Sequence, residues 1–341
     1  MTLTKDVIRR LPKAELHVHL DGCLRPQTMI ELAQTAGVRL PGGDPRSLAD
    51  AMFVRNAKNL EEYLDRYTYT VALMQTDVAL ERISYEFVHD ASLENVRYVE
   101  VRFCPALHTA SLRLSQVMEA VLVGLRRAEA ETGTRATLIV TALRTMAPSV
   151  SSDLAHLAVD YREEGSVAFD LGGAERHHPA RDHAAAFAHA ARHGVHCTCH
   201  AGEGDGPDSV RQALHDCGAQ RIGHGTRIHE DATLERQVCE EGIPLEMCLS
   251  SNLHTRTVTD VASHPLRRYF DRGCVVTLNT DSRLMDGVSL TDEYWLAHTA
   301  LGFSRSELDR LILNGFASAF LPDDEKTALM ARVTRELQEI T

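Results

Sequence analysis

Lysine is scarce in this 341-residue chain: only Lys5, Lys13, Lys58 and Lys326 occur, and no basic block forms anywhere. The formal net charge is -12 and the sequence pI about 5.8, which speaks against a nucleic-acid or anionic-membrane partner. No uncharged apolar run is long enough to span a bilayer, and Met1 to Lys13 has no apolar core like that of a signal peptide. A cytoplasmic protein is expected. The eight cysteines (Cys23, Cys104, Cys197, Cys199, Cys217, Cys239, Cys248, Cys274) contain no C-x-x-C pair. In a chain of this length they read as reduced, mostly buried thiols and not as a disulfide framework. Linkers, low-complexity segments and repeats of 20–50 residues are also missing.

What is present is an alternation. Hydrophobic residues make up 44% of the chain, enough for a large core. Short β-rich runs cover 14–20, 96–103, 137–144, 167–172, 196–200, 221–224, 243–249 and 274–281. Helix-like stretches lie between them, for example 114–132, 181–193, 208–217 and 234–241. Eight β-then-α units predict a parallel sheet closed into one (β/α)₈ TIM barrel, an α/β fold occupying 1–341 as one domain. The stretch from Leu24 to Asn95 is a helical insertion after strand 1. Its apolar residues recur at helical spacing (Leu60, Tyr63, Leu64, Tyr67, then Val71, Met74 and Val78, then Ile83, Phe87 and Val88), and its position suits a lid. The end is helical, with a capping box at Ser304 and Glu307 and a last helix starting at Pro322-Asp323-Asp324.

In such barrels chemistry sits at the C-terminal ends of the strands. Residues 14–22 read Ala-Glu-Leu-His-Val-His-Leu-Asp-Gly, so Glu15, His17, His19 and Asp21 share one strand face. Two imidazoles at i, i+2 can bite one cation, and imidazole suits zinc. An isolated H-x-H would read as two ordinary buried histidines. The other strand ends change that: Asp170 on strand 4, His200 and Glu203 on strand 5, His224 on strand 6, Ser250-Ser251-Asn252 after strand 7, and Asp281-Ser282 after strand 8. These groups converge on one mouth and predict a metal site. On strand 5, Thr198 and His200 share a face while Cys197 and Cys199 point towards the helices. Glu100 and Arg102 on strand 2 are expected to pair with each other inside the barrel. His177 and His178 are expected in solvent, and Tyr161 and Trp295 in packing.

In order and spacing these motifs resemble the adenosine deaminase family of the amidohydrolase superfamily. The resemblance runs through LPKAELHVHLDG at 11–22, YVEVRF at 98–103, DLGG at 170–173, CHAGE at 199–203, RIGHG at 221–225, CLSSN at 248–252 and LNTD at 278–281. It implies one zinc per chain, held by His17, His19, His200 and Asp281 with a water or hydroxide. It implies Glu203 as proton donor to purine N1, His224 as the residue orienting the hydroxide, and Asp281 as acceptor from the attacking water. Asp21 would lie near the ribose 5′-hydroxyl and the Gly173 N–H near N3, and His19 would contact substrate as well as the metal. Asp170 and Glu246 are possible acceptors for the second N–H of ligating histidines. The reaction implied is deamination of adenosine or 2′-deoxyadenosine to the inosine nucleoside and ammonia. One departure stands out: the family commonly has a second aspartate, contacting purine N7, where this chain has Ser282. A hydroxyl can also donate to N7, over a shorter reach.

Other readings remain open. The cytosine and tRNA-adenosine deaminases carry an H-x-E and P-C-x-x-C signature, which this chain lacks. A dinuclear amidohydrolase resembling dihydroorotase needs a lysine on strand 4, and none lies near Val167–Gly173. A purine-nucleoside binder without activity would need neither Glu203 nor His224. Free adenine is disfavoured because adenine deaminases of the family tend to read HLEG where this chain reads HLDG. A 5′-extended nucleoside such as aminodeoxyfutalosine is the alternative substrate. Oligomeric state is not legible from the sequence.

Overall fold

The computed structural model describes residues 3–55 and 57–340. Eight parallel strands follow one another around a single sheet in chain order. They are β1 (Lys13–His19), β2 (Val96–Phe103), β3 (Arg135–Leu143), β4 (Ser166–Gly172), β5 (His196–Ala201), β6 (Arg221–His224), β7 (Leu245–Met247) and β8 (Val276–Leu278). A bridge between Val18 and Asp281 brings the last strand end back to the first. There the His19 N–H donates to the Asp281 carbonyl at 2.7 Å and the Asp281 N–H to the His17 carbonyl at 3.0 Å. The fold is the expected TIM barrel, with helices filling the connections.

β7 and β8 are shorter than the apolar runs 243–249 and 274–281 imply. Leu249 already opens a helix, Leu249–His254, with Cys248 as its cap. After β8 a side chain takes over from the ladder: the N–H groups of Leu16 and His17 both donate to Asn279 Oδ1, at 2.7 and 3.1 Å. Both departures occur where the chain turns into the mouth, so the ladder gives way where side chains must converge.

Between β1 and β2 the insertion forms helices Pro26–Ala36, Pro45–Met52, Leu60–Leu64, Tyr67–Leu73 and Asp77–Ser92. Leu60, Tyr63, Leu64, Tyr67 and Val71 line the cavity over the strand ends, as a lid would. Val78 departs from its apolar stripe and is 69% exposed, while Ile83, Phe87 and Val88 are buried. The helices Arg305–Ala317 and Asp323–Glu339 close the chain, and the Ser304–Glu307 capping box forms. No helix among the described residues is long and apolar enough to cross a membrane.

The barrel interior carries a buried charge network in place of the expected Glu100–Arg102 pair. Arg102 bonds Asp170 (3.2 Å), Glu246 (2.7 Å) and the Leu16 carbonyl. Glu100 instead pairs with Arg221, which also reaches Glu246 at 2.7 Å. Residues two apart on one strand face the same interior at different heights, so each finds its partner across the barrel. The expectation for the cysteines holds for six of the eight and fails for one pair. Cys239 and Cys274 are joined as a disulfide, whereas Cys104, Cys197, Cys199, Cys217 and Cys248 are buried thiols and Cys23 is a half-buried one. Tyr161 and Trp295 pack against the core as expected.

Candidate active site

His17 and His19 alternate inward on β1, His200 does the same on β5, and Asp281 follows β8 in the left-handed region at φ 63°. One ligand atom from each of the four lies within 4.8 Å of the others. The hydrogen bonds decide which atoms those are. His17 Nδ1 meets Glu246 Oε2 at 2.8 Å, and His200 Nδ1 meets Asp170 Oδ1 at 3.1 Å. A carboxylate can only accept, so both rings carry their proton on Nδ1 and leave a lone pair on Nε2. Burial would raise both acceptor carboxyls. His200 and the Arg102 guanidinium beside Asp170, and the Arg102 and Arg221 guanidinium charges beside Glu246, outweigh it and hold them below the usual range.

The His17 lone pair then has no protein donor to meet. His17 Nε2 is buried without a hydrogen-bond partner and faces Asp281 Oδ1 at 3.4 Å. His19 Nε2 and His200 Nε2 face each other at 3.1 Å. Three convergent imidazole nitrogens, the one on His17 unpartnered, beside a carboxylate form a donor set that fits a divalent cation such as zinc. The Ser251 hydroxyl donates to Asp281 Oδ2 at 2.6 Å, which fixes that carboxylate's rotation.

Glu203 follows β5 on the loop Gly202–Gly206 and is buried. Its Oε1 accepts from Thr255 Oγ1 at 3.0 Å and from Asn252 Nδ2 at 3.4 Å. Burial, then the charges of Asp281 and Glu175, push its carboxyl well above the ordinary range. The shift favours the protonated acid, and with Oε1 accepting from both neighbours Oε2 is the oxygen free to carry the proton. His224 sits at φ 62°, a conformation that costs a non-glycine residue energy and is often found at functional sites. Its tautomer follows from Asn252. The Asn252 Oδ1 accepts from Thr226 Oγ1 (2.7 Å) and His264 Nε2 (3.1 Å), so its amide NH₂ must face His224 Nδ1 at 3.1 Å. Nδ1 is thus an acceptor and Nε2 carries the proton, 3.4 Å from Glu203 Oε2. Burial, with His17 nearby, lowers the His224 pKa well below the ordinary value and keeps the ring neutral.

His19, Asp21, Gly173, His200, Glu203, His224 and Asp281 all border one cavity of about 320 Å³. Asp21 belongs not to β1 but to the following turn Leu20–Gly22. It still reaches the cavity, its Oδ1 is unpartnered, and burial raises its carboxyl to about 7. Gly173 borders the cavity at φ 89°, where a side chain would be strained. Ser282 is placed differently: it is fully buried behind the wall, and its hydroxyl bonds that of Tyr67, which does line the cavity. His177 is exposed and His178 half-buried, both away from the lining residues.

Sequence reasoning missed Glu175, Thr255 and Tyr67, and gave Asn252 no role. Glu175 follows DLGG at two residues' distance, and a carboxylate beside that motif was the available signal. Tyr67 was read as lid packing, which hid its hydroxyl.

Comparison with known proteins agrees with this geometry. The family model described as "Adenosine deaminase" matches residues 12–336. An "Adenosine deaminase" of Mycolicibacterium vanbaalenii is 40% identical over 354 residues, covering 98% of this chain and 97% of that protein. A "Probable adenosine deaminase" of Dictyostelium discoideum is 40% identical over 321 residues, covering 94% of this chain; the chain spans only 42% of its length. Among solved structures, an adenine deaminase of Arthrobacter aurescens superposes with a TM-score of 0.89 at 28% identity, covering 96% and 99% of the two chains. An amidohydrolase of Burkholderia ambifaria with bound Zn gives 0.88 at 27% identity, covering 100% and 95%. An N6-mAMP deaminase of Arabidopsis gives 0.85 at 28% identity, covering 97% and 99%.

Proposed function

The chain belongs to the adenosine deaminase family of metal-dependent hydrolases acting on C–N bonds, and on that premise we propose that it hydrolyses adenosine and 2′-deoxyadenosine to the corresponding inosine nucleosides and ammonia. The observation that carries this reading is the cavity itself. A buried carboxyl of raised pKa, Glu203, and a buried imidazole of lowered pKa, His224, open into it beside the four convergent donors, and among the described residues its lining includes no lysine or arginine.

Held by His17, His19, His200 and Asp281, one zinc ion per chain would supply a Lewis acid that brings the pKa of a water towards ~7. The protein's own groups do the rest. Glu203 gives the proton on Oε2 to purine N1 as C6 becomes tetrahedral, which drains the charge that would otherwise build on the ring. His224 directs its Nε2–H at the incoming oxygen and stabilises the negative charge there. Asp281, with Oδ2 fixed by Ser251, takes one proton from the attacking water and returns it to the departing amine. The second water proton, left on the C6 oxygen, passes to Glu203 as the C–N bond breaks and the C6 carbonyl forms, which restores its acid form. The stoichiometry closes with one water consumed and one ammonia released.

The lining also speaks to the choice among adenine compounds. The Arabidopsis relative's name specifies a nucleotide. A phosphate entering this cavity would meet the buried Asp21 carboxyl and no cationic side chain from the lining, which is unfavourable. A ribose hydroxyl suits Asp21 and His19 better, so we place the nucleoside end there and N3 towards the Gly173 backbone. The enzyme is read as cytoplasmic. A panel of adenosine, 2′-deoxyadenosine, adenine, AMP and aminodeoxyfutalosine compared by kcat/KM tests the assignment. Adenosine or deoxyadenosine should lead. A lead for AMP, adenine or the extended nucleoside would overturn the substrate, and ammonia release from none of them would overturn the activity.

A further inference from the structure

Glu175 lies beyond Gly173 in the connection after β4, is 3% exposed, and takes no part in the reaction as described so far. Its carboxylate meets four successive backbone N–H groups. Oε1 accepts from Gly202 at 2.6 Å, and Oε2 accepts from Glu203 at 3.0 Å, Gly204 at 2.7 Å and Asp205 at 3.1 Å. These belong to the loop that carries Glu203, which lies beyond the end of β5 and has no ladder partners of its own. A run of N–H groups turned to one side makes a concave anion site, and here the anion comes from a neighbouring loop of the same chain.

The loop is confined on its other sides as well. Gly202 has φ 72°, and a Cβ there would come within 2.7 Å of Val210 Cγ2. At Gly204 a Cβ would sit 3.1 Å from Leu60 Cδ2 of the lid and 3.4 Å from Glu175 Cβ. The backbone therefore passes closely between the lid and Glu175, and only the carboxylate satisfies its donors. Without that acceptor, four partly or fully buried N–H groups would seek other partners, and the loop would have to rotate to find them.

We propose that Glu175 is a positioning residue for Glu203: by gathering the N–H groups of residues 202–205 it sets the backbone from which the Glu203 carboxyl reaches the cavity. The inference rests on Glu203 being the proton donor. The negative charge of Glu175 works in the same direction, since it adds to burial and to Asp281 in keeping Glu203 neutral. Both effects act through Glu203 alone, and that makes them separable from a general packing role.

A double-mutant cycle tests the separation. Glu175→Gln replaces one acceptor oxygen with an NH₂ that faces a donor, so the loop should shift. Misplacing a reacting group by about 1 Å can cost ~10²-fold in rate, and kcat should fall by about that factor with metal content unchanged. Glu203→Gln alone should lower kcat on its own account. Adding Glu175→Gln to Glu203→Gln should then change kcat little, because the donor being positioned is already gone. If the second substitution lowers kcat by the same factor in both backgrounds, Glu175 acts independently of Glu203 and the proposal is wrong. A folded Glu175→Gln enzyme with parental kcat overturns it too. If instead Glu203→Gln alone leaves kcat intact, it is the reading of Glu203 that fails. Should Glu175→Gln not fold, Glu175→Asp, which keeps the charge but withdraws it by one methylene, runs through the same cycle with the same criteria.

Discussion

Asn252→Asp is a change of one atom that should disable the site without touching any of the four side chains proposed to hold the metal. The two acceptor contacts of Asn252, from Thr226 at 2.7 Å and His264 at 3.1 Å, survive in an aspartate. The two donor contacts, to His224 Nδ1 at 3.1 Å and Glu203 Oε1 at 3.4 Å, do not. His224 Nδ1 would then face a carboxylate and must carry the ring proton to meet it. Nε2 loses its proton in exchange and turns a lone pair towards the cavity, where the account needs a donor. A catalytic histidine held in the wrong tautomer costs ~10⁴ in kcat in the serine proteases, and loss of one positioned acid–base group costs ~10²–10⁴. We expect kcat on adenosine to fall within that range. Stability should drop as well, since each lost hydrogen bond contributes roughly 0.5–1.5 kcal/mol. The assay is kcat for inosine formation, measured beside metal content on the same preparation, with metal content unchanged. Near-parental kcat in the folded variant would refute the tautomer argument and with it the role given to His224.

Three other outcomes follow from the same geometry. His17→Ala or Asp281→Ala should lose metal and activity together while far-ultraviolet circular dichroism stays that of the barrel, because the site lies on its rim; retained metal would contradict the donor set. If Ser282 and Tyr67 serve N7 as a pair, Ser282→Ala and Tyr67→Phe should each cost adenosine roughly two- to tenfold in kcat/KM, the value of one neutral hydrogen bond. The parent should also prefer adenosine to 7-deazaadenosine, and equal rates on the two would remove N7 recognition from the account. Glu293 gives a pH test. Burial raises its carboxyl to about 8, although it accepts the N–H groups of Leu249 and Ser250. Between its ordinary range and about 8 the folded state holds a proton that the unfolded state has released, so this group's contribution to stability declines as pH rises across that window. The Tm of Glu293→Gln relative to the parent should therefore climb from about pH 5 to about pH 8, and a constant difference would contradict the shift.

The barrel was legible because periodicity carries it: β2 and β6 begin and end where their apolar runs do. The convergence of four possible metal donors was legible because strand alternation places His17, His19 and His200 on inward faces, and the order of motifs added Asp281. What escaped depends on closure. Glu100 and Arg102 share a face, but their partners, Arg221, Asp170 and Glu246, come from strands across the barrel, a relation that no local pattern encodes. Glu175 escaped for a different reason. It acts on backbone N–H groups, which every residue except proline has, so nothing in residues 202–205 marks them as its partners. The Cys239–Cys274 bond joins the last turn of the helix Ala232–Glu240 to the chain just before β8, 35 residues on and past β7, and spacing alone does not distinguish such a pair from separate thiols. Ser282 shows the converse: its position in the sequence suggested a direct substrate contact, whereas in the structure Gly22 and Tyr67 pack against its side chain and Tyr67 is the one that reaches the cavity.

The central claim is that a neutral Glu203 delivers the proton for deamination beside an intact metal site, and metal content and kcat measured together on Glu203→Gln test it most directly. Glutamine keeps the shape and the acceptor for Thr255 but has no acidic proton. The account predicts metal bound as in the parent and kcat on adenosine lower by at least ~10²–10⁴. Parental kcat with metal bound would contradict it.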